Sequence, residues 1–208
     1  MFNFNVDGIC DAYQKQNESL NPAALAGLQF LVESLQEDPD VSDLRWAAYM
    51  LATVHWECAN RWRPIEEFGK GKGHPYGVPV KITGADGTIY TNTYDGRGYV
   101  QLTWKANYAN IGAGLGLGNT LLLHPEHALE PRTAYEIMSY GMRNGSFTRK
   151  KLADYINATG CDYVNSRRII NGLDHALEIA GFAESLEQLL RDQMTPTADN
   201  MAAATRVA

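Results

Sequence analysis

The chain has 208 residues, 45% of them hydrophobic and 20% charged, a balance that suits a soluble globular protein with a sizeable core. Its formal net charge of −6 argues against nucleic acid as the main partner, and no apolar run approaches the roughly 20 residues that a membrane-spanning helix needs. The three cysteines (Cys10, Cys58, Cys161) are widely spaced and form no CxxC pair, so neither a disulfide framework nor a zinc ribbon is indicated and a reducing cytosol is expected.

The opening MFNFNVDGICDAYQKQ has neither the basic start nor the apolar core of a secretory signal, so none is expected. NPAALAGLQFLVESLQED reads as an amphipathic helix, with Asn21 as N-cap and Pro22 at the first helical position. The pattern breaks at Pro39. A second helix follows in SDLRWAAYMLATVHWECAN, capped by Ser42 and apolar nearly all round from Trp46 to Ala59, as a central buried helix is. Residues 64–77, rich in Gly, Pro and Lys, read as an irregular loop. In VPVKITGADGTIYT two β-prone runs flank Gly-Ala-Asp-Gly, a hairpin signal, and GYVQLT is placed as a third short strand. Helical periodicity returns in PRTAYEIMSYGMRNG, TRKKLADYIN and SRRIINGLDHALEIAGFAESLEQLLRD. The expected class is mainly α (α+β): one domain over 1–195, a small β lobe at about 76–104, and a frayed tail over 196–208.

Charge is unevenly spread. Residues 1–60 hold nine acids against two bases, whereas residues 61–105 hold seven bases against four acids. The second stretch reads either as a solvated face or as a groove for an anionic polymer, which neutralising Lys70 and Lys72 would test.

Glu57 is the only acid between Leu44 and Asn60, on a helix otherwise made of apolar and aromatic residues. A buried carboxyl without a partner tends to keep its proton and can then serve as a general acid; a glutamate near a helix end that faces water gives the same pattern. Glu66 and Glu67 follow in RWRPIEEFG. Two carboxyls in contrasting settings are what glycosidic hydrolysis needs, one protonating the leaving oxygen while the other activates water or attacks. Gln101, Thr103 and Asn107 add neutral hydrogen-bonding groups, and Trp46, Trp56, Trp62 and Trp104 add flat apolar faces that serve a core or a sugar platform.

In that order, His55-Trp56-Glu57, Gly96-Arg97-Gly98, Gln101-Leu102-Thr103 and Asn107, with HPEHALEP and RRIINGLDHA downstream, resemble glycoside hydrolase family 19, and more closely the phage endolysins of that lysozyme-like superfamily. The resemblance runs from about residue 22 to 190. It implies a lysozyme-like helical fold with the β hairpin beside the cleft. It also implies inverting hydrolysis of the β-1,4 bond between N-acetylmuramic acid and N-acetylglucosamine in bacterial peptidoglycan. Glu57 becomes the general acid, Glu66 the second carboxylate and Thr103 a holder of the attacking water. The implied substrate-binding set is His55, Glu67, Tyr94, Arg97, Gln101, Asn107 and Asn171, with Gly96 and Gly98 letting the backbone approach the glycan. Inversion sets the carboxyls about 6.5–9.5 Å apart. In the family's plant chitinases the second acid lies much further along the chain, which leaves Glu67 as a rival to Glu66.

No cofactor or metal is expected. The implied partner is the peptidoglycan glycan strand, met by a monomer made in the bacterial host cytoplasm and released to the periplasmic wall through a separate phage holin, for host lysis. Four other readings stay open. A chitinase shares the carboxylate chemistry. A zinc amidase would draw on His124 and His127, although HPEH lacks the HExxH pattern. A cysteine peptidase would need Cys58 at a helix start, whereas it falls near a helix end. A wall-binding protein would keep the cleft without turnover.

Overall fold

A computed structural model describes residues 2–17 and 19–195; the tail expected at 196–208 lies outside the described residues. The first helix, α1 (Val6–Gln16), is one that sequence periodicity did not reveal. Helix α2 (Pro22–Glu37) starts as expected, the Asn21 side chain accepting from the Ala24 amide. The cap of α3 (Leu44–Glu57) is Asp43 and not Ser42: its carboxylate accepts from the Arg45 amide and also grips the Arg45 guanidinium. Every side chain from Ala47 to Val54 is buried, so α3 is the axis of the molecule, packed most extensively along α9 (Ala176–Asp192). Gly27 lets α2 approach the chain that leaves α3, since a Cβ there would come within 2.0 Å of the Trp62 carbonyl oxygen.

Between α3 and the later helices lies a small β region. Strands β1 (Ile65–Glu66) and β4 (Arg97–Gly98) pair antiparallel, with Glu66 opposite Arg97. Strands β2 (Val80–Thr83) and β3 (Ile89–Asn92) form the expected hairpin, closed where the Gly84 amide donates to Thr88. The third strand expected in GYVQLT is instead a tight turn. Arg97 and Leu102 exchange both backbone hydrogen bonds, and Gly98 and Gln101 take left-handed φ values of 89° and 52° between them.

Helices α4 (Lys105–Gly114), α5 (Thr120–Leu123) and α6 (Pro131–Asn144) follow, α6 ending on Gly145 in the left-handed conformation. TRKKLADYIN yields only α7 (Leu152–Tyr155) before a two-residue hairpin of β5 (Ile156–Asn157) and β6 (Gly160–Cys161). The long C-terminal run is broken as well. Helix α8 (Tyr163–Ser166) passes into a 3-10 turn at Arg167–Ile169 and an irregular loop before α9 begins. Buried side chains from the helices and from the Tyr94–Leu102 segment form one apolar cluster. Among the described residues no helix is long and apolar enough to cross a membrane.

Candidate active site

Glu57 is the last residue of α3, where the chain leaves its most buried helix. The helix stops because Ala59, Asn60 and Trp62 all take left-handed φ values, which sends the chain back across the helix end. Of the two settings the sequence left open for this carboxyl, buried without a partner or facing water, the structure shows neither. Arg167 Nη1 donates to Glu57 Oε1 at 2.5 Å, while its Nε donates to the Asp174 carbonyl. Both side chains are largely withdrawn from water, Arg167 at 5% and Glu57 at 15% exposure. Arg167 is the residue of this candidate site that sequence reasoning missed. It sits in the quoted RRIINGLDHA segment, but nothing in its spacing shows that it returns to a residue 110 positions earlier.

Opposite Glu57 is a cavity of about 320 Å³, lined by Gln101, Thr103, Trp104, Asn107 and Asn171 together with Val100, Phe147 and Ile170. Five expected site residues are thus brought together: Glu57, Gln101, Thr103, Asn107 and Asn171. The wall is built by the turn. Gln101 Nε2 donates to the carbonyls of Ile65 and Gly98, tying the turn to β1. Trp104 holds a left-handed φ of 71°, costly for a bulky residue, and opens α4 at the cavity rim with its indole edge-on to Tyr76. Gly96 and Gly98 are required by the packing of the turn itself. A Cβ at Gly96 would meet the Gln101 side chain at 2.7 Å, and one at Gly98 the Ala128 carbonyl at 2.9 Å.

The other expected residues do not line this cavity, although Glu66 follows Ile65, whose carbonyl is hydrogen-bonded to Gln101 of the cavity wall. Glu66 extends from β1 between Lys70 Nζ at 2.9 Å and Arg97 Nε at 3.1 Å. Partial burial works against its ionisation, but the Lys70 hydrogen bond and the Arg97 charge outweigh it and hold the carboxyl below the usual range. Lys70 is thereby engaged with Glu66. Arg97, expected to bind substrate, is buried. It bridges Glu66 to the fully buried Asp95 (Nη2 to Oδ1, 2.8 Å) and donates to the Thr93 carbonyl and the Tyr108 hydroxyl. Its place in the site is to hold Glu66.

Glu67 spends both oxygens on the fold, accepting from the Tyr76 hydroxyl and from the Gly96 amide. Tyr94 is buried as well, donating to the Leu122 carbonyl. His55 points into the seam between helices, stacked on Phe182 at 3.7 Å and 3.2 Å from the Tyr13 hydroxyl; burial lowers its pKa below the usual histidine range. Of the four tryptophans, Trp62 is core, Trp46 donates to the Ile156 carbonyl, and Trp56 and Trp104 are exposed.

The residues behind the rival readings are also placed. Burial, with Glu57 adding to it, pushes the Cys58 thiol up to about 12. His124 and His127 each face their own carboxylate, Glu126 and Glu130. Among the described residues no group of three or more His, Cys, Asp and Glu side chains is placed to hold a metal ion. A second cavity, of about 330 Å³, lies where the end of α2 meets α6, away from Glu57. Its charges pair with one another, Arg143 with Asp40 and Arg132 with Glu136, while Asp38 accepts from Tyr135 and Ser139. The Glu57 cavity is the better candidate because it alone gathers five of the expected site residues.

No family model matches the chain, and no curated protein matches it. Among solved structures it is similar to a mutant of chitinase C, at 19% identity and a TM-score of 0.57, over 94% of this chain and 96% of that one. It is also similar to a family 19, class IV chitinase from Zea mays, at 17% identity and a TM-score of 0.51, over 92% of each chain. The chain therefore has the mainly α, lysozyme-like fold of these chitinases, with a small β lobe.

Proposed function

We propose that the protein is a glycoside hydrolase that cleaves β-1,4 bonds in a polymer containing N-acetylglucosamine. One observation carries this reading: Glu57, braced by Arg167, opens on a cavity whose other polar walls are neutral amides and a hydroxyl, with an indole at the rim. Amide and hydroxyl groups match the hydroxyls and acetamides of such a sugar, and the indole matches the apolar face of its ring. The likeness of the fold to that of chitinases agrees with it.

In the proposed reaction Glu57 gives its proton to the leaving oxygen as the glycosidic bond breaks. Arg167, already hydrogen-bonded to that carboxyl, stabilises the carboxylate left behind. Glu66, kept ionised by Lys70 and Arg97, acts as the base for the attacking water in an inverting displacement, with Thr103 orienting that water. Gln101, Asn107 and Asn171 hold the sugars.

The finer reading is a peptidoglycan muramidase acting as a monomeric phage endolysin. It would be made in the host cytoplasm and reach the wall through a separate holin. The absence of a disulfide among the described residues, whose three cysteines are free, suits synthesis in a reducing cytosol. The chitinase reading is favoured by the structural neighbours. Mass spectrometry of borohydride-reduced fragments from purified peptidoglycan and from chitin separates them. Reduced N-acetylmuramic acid ends establish a muramidase. Cleavage of chitin alone establishes the chitinase, and free stem peptides on intact glycan strands overturn both.

A further inference from the structure

The cavity at Glu57, about 320 Å³, has room for only a short length of glycan. A polymer cleaved within its chain must therefore continue past the cavity. The loop over 170–175 gives one direction. Its first residues, Ile170 and Asn171, form a wall of the cavity. Its last, His175, lies against Trp56, with ring centroids 4.4 Å apart and planes tilted by 33°. Arg167 fixes this loop to the acid, one nitrogen donating to Glu57 and another to the Asp174 carbonyl. Trp56 is thus next to Glu57 along α3 and joined to the cavity by a loop that the same arginine holds.

Trp56 is also out of keeping with its own helix. From Ala47 to Val54 each side chain of α3 is buried, yet Trp56 is 36% exposed. Leu173, on the connecting loop, is 45% exposed. Leaving a large indole in water forgoes the favourable burial that its neighbours obtain, unless a ligand covers it. His175 meanwhile holds a left-handed backbone (φ 57°), which few side chains adopt, at the point where its imidazole braces the indole.

We propose that Trp56, braced by His175, is a stacking platform for a pyranose ring of the bound glycan, one binding position outside the Glu57 cavity. It rests on the glycosidase reading, since the occupant is the continuation of the chain being cut. The C–H face of a pyranose is apolar and flat enough to cover an indole, while its rim of hydroxyls stays in water. A platform of this kind acts on long chains more than on short ones.

The test is an NMR titration of the four indole N–H signals with a graded series of β-1,4-linked N-acetylglucosamine oligomers and with soluble glycan strands from peptidoglycan. The Trp56 signal is assigned from Trp56→Tyr. The shortest ligands are expected to move the Trp104 signal, and longer ones to move Trp56 as well. In kinetics, Trp56→Ala should lose about tenfold more kcat/KM on long chains than on the shortest chain cleaved, mainly through KM, and Trp56→Tyr should recover most of it. A Trp104 response without a Trp56 response, or equal losses at all chain lengths, overturns the platform and leaves the glycosidase reading standing. No response from either indole to any ligand, with no cleavage, overturns both. Self-association that Leu173→Asp abolishes would assign the exposed face to a second copy of the chain and overturn the platform. If Trp56→Ala does not fold, His175→Ala, which removes the brace, carries the same chain-length comparison.

Discussion

The two carboxylates proposed to share the reaction are held in opposite ways. Glu57 ends a buried helix and meets one guanidinium, Arg167, supplied by a turn 110 residues downstream. Glu66 lies on a two-residue strand, is about a quarter exposed, and stands between two cations, Lys70 and Arg97. Glu57 has its single partner on one oxygen and lines the cavity. Two cations with access to water favour a lasting negative charge. In the proposed mechanism the enclosed group, which lines the cavity, is the acid, and the open one, held below the usual carboxylate range, is the base.

The widest break in that contrast is at Glu57. Glu57→Gln keeps the shape but removes the transferable proton, and turnover should fall by about 10³-fold, within the range found for general acids. Cooperative unfolding and oligomer binding should survive; substantial residual cleavage would remove Glu57 from the acid's place. Arg167→Leu comes next. It leaves a carboxylate at 15% exposure without its cation and frees the Asp174 carbonyl, so stability should fall by about 3 kcal/mol, or about 6–12 °C in Tm. Thermal unfolding of the variant checks this, and an unchanged Tm would mean that the pair contributes nothing to the fold.

Glu66 and its neighbour Glu67 sharpen the comparison at one residue's distance. Glu67→Gln removes an acceptor from either Tyr76 or Gly96, which predicts a loss of about 1–3 kcal/mol in stability with little effect on kcat. Glu66→Gln should do the reverse, lowering kcat by about 10²-fold with a smaller change in Tm. Kinetics and melting curves of the two variants decide between them. Equal small losses in kcat would mean that neither is the second carboxylate.

The sequence made the helices legible where periodicity and caps agreed, as at Asn21 and through the buried face of Ala47–Val54, because both depend on neighbours along the chain. It was less informative where a conformation depends on a distant partner. GYVQLT alternates like a strand, yet Arg97 and Leu102 close it into a turn, and the residues that this turn presents, Gln101 and Thr103, share a cavity for that reason rather than by strand period. Residues read as substrate contacts also divide on long-range grounds. Asn107 and Asn171 reach the cavity, whereas Arg97 is drawn inward by Asp95, Tyr94 by the Leu122 carbonyl, and His55 by Phe182. Motif order locates such residues near a site, but burial decides which of them face it.

The smallest effect concerns pH and tests the open carboxylate alone. The Glu66 pKa is depressed in the folded protein, so the ionised form contributes stability above its unfolded value, near 4.3, and that contribution is lost as pH falls through the lower folded value. If Glu66 must be ionised to act, the acid limb of kcat against pH lies below the ordinary carboxylate range. Lys70→Ala removes the exposed cation and leaves Arg97 in place, so the limb should move up toward that range. Added salt should produce part of the same movement in the wild type, because Lys70 is 69% exposed and its charge is readily screened, while Arg97 at 7% is not. A limb that neither Lys70→Ala nor salt displaces would belong to another group, and Glu66 would lose its place as the residue whose ionisation sets the rate.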